Sequence, residues 1–417
     1  MIGKGDRADI DADSAANIAS PPLALYLHWP FCRAKCPYCD FNSHVATQID
    51  HVAFATAYRQ EMSHMAGLYG RGRRLHSLFL GGGTPSLMPP SLVEKIIEMA
   101  EVLFGFEAGI EITLEANPTS SEAKNLAEMV TAGVNRFSLG VQSLDDVGLA
   151  FLGREHSVAE ALAAVDAARQ LVPRLSIDLI YARTGQDETA WRAELQSALS
   201  IGLDHMSLYQ LTIEPSTGFF TRSRAGETLV AKDDLAADLY DMTADIMESA
   251  GLPAYEVSNH ARAGQESRHN LVYWRAQDWI GVGPGAHGRT TAGHTRIGTA
   301  TRRSPEGWLG DVRTKGHGIE TEVRDHGDAV LAEHLMMGLR LAEGVDLVTI
   351  AQRIGYPKPF AEQNPLLDND VVERLVGLSL EVVCAGLLSC LTLTVQDRTN
   401  YILRMIMNCQ QIHWLGQ

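Results

Sequence analysis

Basic charge is scarce in this 417-residue chain: 35 Lys and Arg stand against 51 Asp and Glu, a formal net charge of −16. Proteins that hold nucleic acid neutralise phosphates with a basic surface, so this balance argues against such a partner. Long apolar runs are missing too. The first twenty residues, MIGKGDRADIDADSAANIAS, carry several acids and no apolar core. That excludes a secretory signal and reads as a disordered lead-in over 1–20. Only Leu375 to Val395 invites a membrane reading, and Glu381, Gly377, Gly386 and several Ser and Thr interrupt it. A span needs about 20 strongly apolar residues, so a buried helix running into a turn and strand is expected there. Cysteine is sparse, six in all. Three of the six are tightly clustered, which is no secreted disulfide framework and suits a reducing cytoplasm.

The cluster is Cys32, Cys36 and Cys39, spaced C-x3-C-x2-C in LYLHWPFCRAKCPYCDFNSH. Three soft thiolates on one short loop select an iron–sulfur cluster, zinc or copper(I). A structural zinc site closes its tetrahedron with four protein ligands, which would here recruit His28 or His44. A 4Fe-4S cubane held by three cysteines keeps one iron open to an outside ligand. Spacing favours the cubane, and the zinc alternative stays open. Cys384, Cys390 and Cys409 lie far along the chain and read as small buried hydrophobes.

Apolar, β-branched or aromatic runs recur at Ala24–His28, Ser77–Leu80, Glu111–Glu115, Arg136–Val141, Leu175–Tyr181 and His205–Ile213. Between them, helical periodicity marks Ser91–Leu103, Ser121–Ala132, Val158–Leu171 and Thr189–Leu199. Strands alternating with helices imply a parallel sheet with right-handed crossovers. The fold class is α/β, a partial or complete (β/α) barrel, with a doubly wound sheet as the alternative. A barrel collects its chemistry at the C-terminal strand ends. The cysteines, GGGTPS at 81–86, Glu115, Gln142 and Asp178 would meet there. The glycine loop lacks the Lys-Ser/Thr of a phosphate-binding P-loop.

With LYLHWPFCRAKCPYCDF, LFLGGGTPS, TLEANP, RFSLGVQS, IDLIY, SLYQLTIEP and HNLVYW in view, the chain resembles the radical S-adenosylmethionine (radical SAM) superfamily. Within it, the likeness is to the oxygen-independent coproporphyrinogen III oxidase group, from about Leu23 to Val345. The resemblance implies a 4Fe-4S cluster on Cys32, Cys36 and Cys39. SAM would chelate the open iron and yield a 5′-deoxyadenosyl radical on reductive cleavage. It places Tyr26, Gly82, Gly83, Thr84, Glu115, Gln142, Arg154 and Asp178 around SAM. Three regions are implied: a barrel core over 21–255, an extension carrying the HNxxYW motif over 256–327, and a small helical domain over 328–417.

True oxidases of the group resemble C-x3-C-x2-C-x-C. Here the fourth position is Phe41, which cannot ligate metal. CPYCDFNSH instead looks like the HemW-type heme chaperones, and His269, Asn270, Tyr273 and Trp274 match their HNxxYW motif. The resemblance then implies heme as cargo, with His269 as candidate axial ligand, His287 as a lower-ranked competitor and aromatic faces against the porphyrin. Acceptor hemoproteins, among them respiratory enzymes at a membrane, are the implied partners. It leaves room for a homodimer and for peripheral membrane association. A coproporphyrinogen oxidase and a radical SAM enzyme acting on a non-porphyrin substrate are the alternative functions.

Overall fold

The computed structural model of the protein describes residues 22–70 and 72–355. The lead-in over 1–20, the apolar stretch Leu375 to Val395 and the three distal cysteines lie outside the described residues.

All six expected strands form, at Leu23–Trp29, Leu75–Gly82, Phe106–Ala116, Arg136–Gln142, Arg174–Tyr181 and His205–Gln210. They pair in parallel and in strict sequence order. A doubly wound sheet reverses its order at a switch point beside a central first strand. No such reversal occurs here, so that alternative is set aside. A seventh parallel strand, Asp278–Val282, pairs with Leu23–Trp29. Antiparallel strands then extend both flanks, giving twelve strands with Ile319–Asp325 at one edge and Ala254–Glu256 at the other. No pairing between those two edges closes the sheet among the described residues.

The strands are buried on both faces, but the two faces differ. Leu25, Leu27, Leu78, Leu80, Phe137, Leu139, Ile177 and Leu179 alternate onto one side. There they join helix residues such as Met62, Ile96, Val165 and Leu195 in one apolar core. The opposite side carries Tyr26, Ser77, Glu115, Arg136, Ser138, Asp178 and Ser207.

Helices fill the crossovers as expected, at Pro90–Phe104, Val158–Leu171 and Glu188–Ser200. Ser157 starts the second with a capping box: its side chain accepts from Glu160 N while the Glu160 carboxylate accepts from Ser157 N. Buried Ala161, Ala164, Val165 and Ala168 form its core stripe. The single helix expected over Ser121–Ala132 is two short ones, Ser120–Ala123 and Leu126–Thr131. Glu122 explains the break. Its carboxylate is drawn inward to accept from Ser86 Oγ and Asn117 N, which ties the first turn to the glycine loop. Beyond the sheet, Asp328–Gly338 and Leu347–Ile354 are helical.

Candidate cofactor site at the strand ends

The cysteine loop leaves the first strand and is pinned at its base. Phe31–Cys32 pairs with His44–Val45, and His44 N donates to Pro30 O at 2.7 Å. Asn42 Nδ2 donates to Pro284 O and Arg303 O, both at 2.9 Å. Under the loop, His28 Nε2 donates to Asn42 O at 2.9 Å, which fixes the tautomer and leaves Nδ1 to accept from the Tyr26 hydroxyl at 2.9 Å. Both His28 nitrogens are thereby used. His44 Nε2 is paired with Asn42 Oδ1 at 3.3 Å. His28 is therefore not free to close a zinc tetrahedron.

Cys32, Cys36 and Cys39 are half-buried free thiols. Thr84 Oγ1 donates to Cys32 Sγ at 3.4 Å and Arg154 Nη1 donates to Cys36 Sγ at 3.3 Å. Such donors favour the thiolate. Burial acts the other way and pushes the Cys39 thiol up to about 12 and Cys32 upward as well. Metal binding would release those protons. Among the described residues, no three His, Cys, Asp or Glu side chains converge on one metal ion. A cubane asks for no such convergence, because each cysteine binds a different iron.

The glycine loop lies flush against the cysteine loop. Gly83 N donates to Trp29 O at 2.7 Å and Thr84 N to Phe31 O at 2.8 Å. A Cβ on Gly83 would stand 2.6 Å from Phe31 O. Gly82, at φ 112°, sits over the His28 ring and donates to Glu115 Oε2 at 3.1 Å. Only glycine fits both places.

Arg154 spans three strand ends, reaching Cys36 Sγ, Asn117 Oδ1 and Gly140 O. Its Nε is buried without a partner. Gln142 ends its strand at φ 68°, a strained setting for a non-glycine residue and one that recurs at functional sites.

Beside these loops is a cavity of about 140 Å³. Of the expected residues, Tyr26, Gly82, Glu115, Asp178, His269, Asn270 and Tyr273 line it, and so does Phe41. Burial first, then the neighbouring Asp178, pushes Glu115 up to about 8, against the opposing pull of the Gly82 N–H. Burial also raises Asp178, whose Oδ1 accepts from Ser138 Oγ at 3.1 Å.

His269 is 1% exposed. Its Nδ1 is 2.9 Å from Ser77 Oγ and its Nε2 is 2.7 Å from the Tyr273 hydroxyl. Burial pulls it down to about 3, so the ring is neutral. Trp274 does not join the cavity lining; Arg340 stacks over its ring at 4.3 Å. His287 also lies outside the lining, at the start of strand His287–Ala292. Sequence reasoning missed Arg136, Ser138, Ser207 and Tyr209, which line the cavity. The period-2 alternation of their strands was the available signal.

Known proteins match this arrangement. The radical SAM superfamily model covers residues 26–196. Radical S-adenosyl methionine domain-containing protein 1, mitochondrial, of Danio rerio is 39% identical over 327 residues, covering 77% of this chain and 73% of its own. The heme chaperone HemW of Escherichia coli (strain K12) is 37% identical over 292 residues, covering 69% of this chain and 76% of its own. The solved structure of the E. coli coproporphyrinogen III oxidase HemN shares the fold, with a TM-score of 0.72 at 22% identity, over 94% of this chain and 90% of that one.

The sheet and the loops that crown it are those of a radical SAM protein. More narrowly, the chain belongs to the radical SAM family that includes radical S-adenosyl methionine domain-containing protein 1 and the HemW proteins, and it shares its fold with HemN.

Proposed function

We propose that this protein is a heme chaperone that binds heme and passes it to acceptor hemoproteins, using a domain that carries a 4Fe-4S cluster with exchangeable SAM. The observation that carries the reading is Phe41. Where an oxidase would have its fourth cysteine, this chain has a phenylalanine, 41% exposed, that lines the cavity. A side chain with no donor or acceptor can cover a flat apolar ligand but can neither ligate metal nor move a proton. The relatedness to HemW supports the same reading.

Cys32, Cys36 and Cys39 would hold the cluster, with Thr84 and Arg154 stabilising two of the thiolates. Cluster and SAM together supply one-electron chemistry when bound. Gly82, Gly83 and Thr84 would present backbone to the amino-acid end of SAM. Glu115 and Asp178 offer acceptors to its polar groups, and Tyr26 a wall held by His28. On the heme side, Tyr273 and Asn270 would face the ligand. Axial ligation by His269 requires exchanging its bond to Ser77 or to Tyr273, so in the arrangement observed the ring orients Tyr273. Among the described residues, no helix is long and apolar enough to cross a membrane. The proposed setting is cytoplasmic, with delivery to respiratory enzymes by peripheral association.

The test is anaerobic reconstitution with iron and sulfide, followed by optical heme titration of wild type and His269→Ala. Saturable heme binding near one per chain, altered in the variant and without coproporphyrinogen turnover, is the expected result. Turnover with SAM and reductant, without stable heme binding, overturns the proposal in favour of the oxidase.

A further inference from the structure

We infer that Arg136 forms, at the inner end of the cavity, a binding point for a carboxylate arm of the ligand, which for a heme chaperone is a porphyrin propionate. The inference rests on the heme reading above for the identity of the ligand. The site itself rests on geometry.

Arg136 is the first residue of its strand, and its side chain turns to the polar side of the sheet and lines the cavity. It is 3% exposed. A guanidinium carries five N–H donors and stays charged, so its burial ordinarily comes with a bidentate acceptor. Here Glu111 is the only carboxylate within ion-pair reach among the described residues, and its Oε2 is 3.9 Å from Arg136 Nε, too long for a hydrogen bond. Glu111 is already engaged: Arg174 Nη1 bonds Oε2 and His269 N donates to Oε1 at 3.2 Å. One carboxylate is thus shared by the half-buried Arg174 and the buried Arg136, and Arg136 is the one that faces the cavity.

The other lining groups at that end are Ser138, Ser207, Asn270, the neutral His269 and Asp178, whose carboxyl accepts from Ser138 Oγ and is pushed up by burial. A carboxylate entering there would meet a fork of charged donors flanked by hydroxyl and amide groups. About 140 Å³ admits such an arm and not a porphyrin ring.

The carboxylate of SAM is the other source of the same chemistry. Geometry favours the propionate, because the groups suited to the amino-acid end of SAM, Thr84 and Arg154, bond the cysteine sulfurs. They lie at the far strand ends, and Arg136 is six residues from Gln142 along its strand, roughly 20 Å at strand rise.

The experiment is a cycle on the reconstituted full-length protein. Wild type and Arg136→Gln are each titrated with heme and with heme dimethyl ester, whose propionates carry no charge. Arg136→Gln is expected to weaken heme about 10- to 100-fold, the range for loss of a charged hydrogen-bonded pair. The ester is expected to weaken binding to wild type by the same factor and to change nothing further in the variant. Arg136→Lys should restore part of the loss. The ligand-free variant is expected to melt no lower than wild type, since the Arg136 side chain makes no hydrogen bond among the described residues and stands 3.9 Å from Glu111. Equal ester penalties in both proteins overturn the inference while leaving heme binding intact. SAM affinity falling in Arg136→Gln, with heme unaffected, overturns the propionate in favour of SAM. A lower melting temperature with unchanged heme affinity makes Arg136 structural. Absence of saturable heme binding in wild type overturns the functional reading, and the propionate assignment with it.

Discussion

Glu115 and His269 face one cavity, and burial holds each neutral near pH 7, in opposite directions of shift. For Glu115, pushed up to about 8, the consequence is in binding. An ammonium or hydroxyl of SAM binds the ionised carboxylate better. Affinity for SAM is expected to rise by up to about tenfold per pH unit between pH 6 and 8 and to level off above. Glu115→Gln should bind more weakly and without that dependence, as isothermal titration at pH 6.5, 7.5 and 8.5 would read. For His269, pulled down to about 3, the consequence is in stability. Its folded value lies below its unfolded value of 6.5, so the unfolded chain binds more protons between the two. The stability it contributes is present above pH 6.5 and is lost as pH falls toward 3, by about 1.4 kcal/mol per unit. Urea unfolding of wild type and His269→Gln at pH 7.5 and 5.5 should therefore show the wild-type advantage shrinking by roughly that amount. An advantage independent of pH would mean that the ring titrates normally.

Two loops, each following a strand, form the proposed cofactor end, and their contact is backbone on backbone. Gly83→Ala would bring a methyl to 2.6 Å from Phe31 O, where no side-chain rotation relieves it. A loss of about 1–3 kcal/mol is expected, with iron per chain falling after reconstitution because Phe31 precedes Cys32. Gly67→Ala, an exposed helical site with nothing within 4 Å of the added Cβ, is the control and should be neutral or stabilising. Iron content unchanged in Gly83→Ala would mean that the cysteine loop does not lean on the glycine loop.

Element scale also shows what sequence reading reaches. The glycine loop and the cysteines were legible because each follows a buried strand and carries residues with no other reason to cluster. HNLVYW was legible only as a string. On the helix Arg268–Trp274, His269 and Tyr273 are four residues apart and share a face, whereas Trp274 turns one position further, to Arg340. Arg136 escaped notice because a strand-initial arginine looks the same in sequence whether it faces solvent or a cavity.

At the scale of the molecule, the six sequential strands were legible because apolar and aromatic residues alternate along each of them toward the core, between helical stretches. The flanking strands were not. Ile319–Asp325 reads IETEVRD and is largely exposed; it is a strand because Thr295–Thr301 offers it a ladder, which no local pattern announces. What joins that flank to the first helix, His51–Tyr69, is equally nonlocal. Glu61 accepts from Gly283 N at 2.7 Å, Gly318 N at 2.6 Å and Trp308 Nε1 at 3.0 Å. Gly283 adjoins Pro284, whose carbonyl holds Asn42 of the cysteine loop. Glu61→Ala would leave three buried donors unpaired and is expected to cost about 3–5 kcal/mol. Burial pushes Glu61 up to about 7 even against those three donors. Its folded value therefore exceeds its unfolded one, and the folded chain binds the extra proton between pH 4.5 and 7. The carboxyl's contribution is full below pH 4.5, declines as pH rises to 7 and is constant above. Chemical denaturation of wild type and Glu61→Ala at pH 5 and pH 7.5 should show the gap between them narrowing at the higher pH. Iron content after reconstitution should fall in the variant at both, because the flank that anchors Asn42 is released. A variant that melts early yet binds iron normally would mean that the cysteine loop stands independently of this flank.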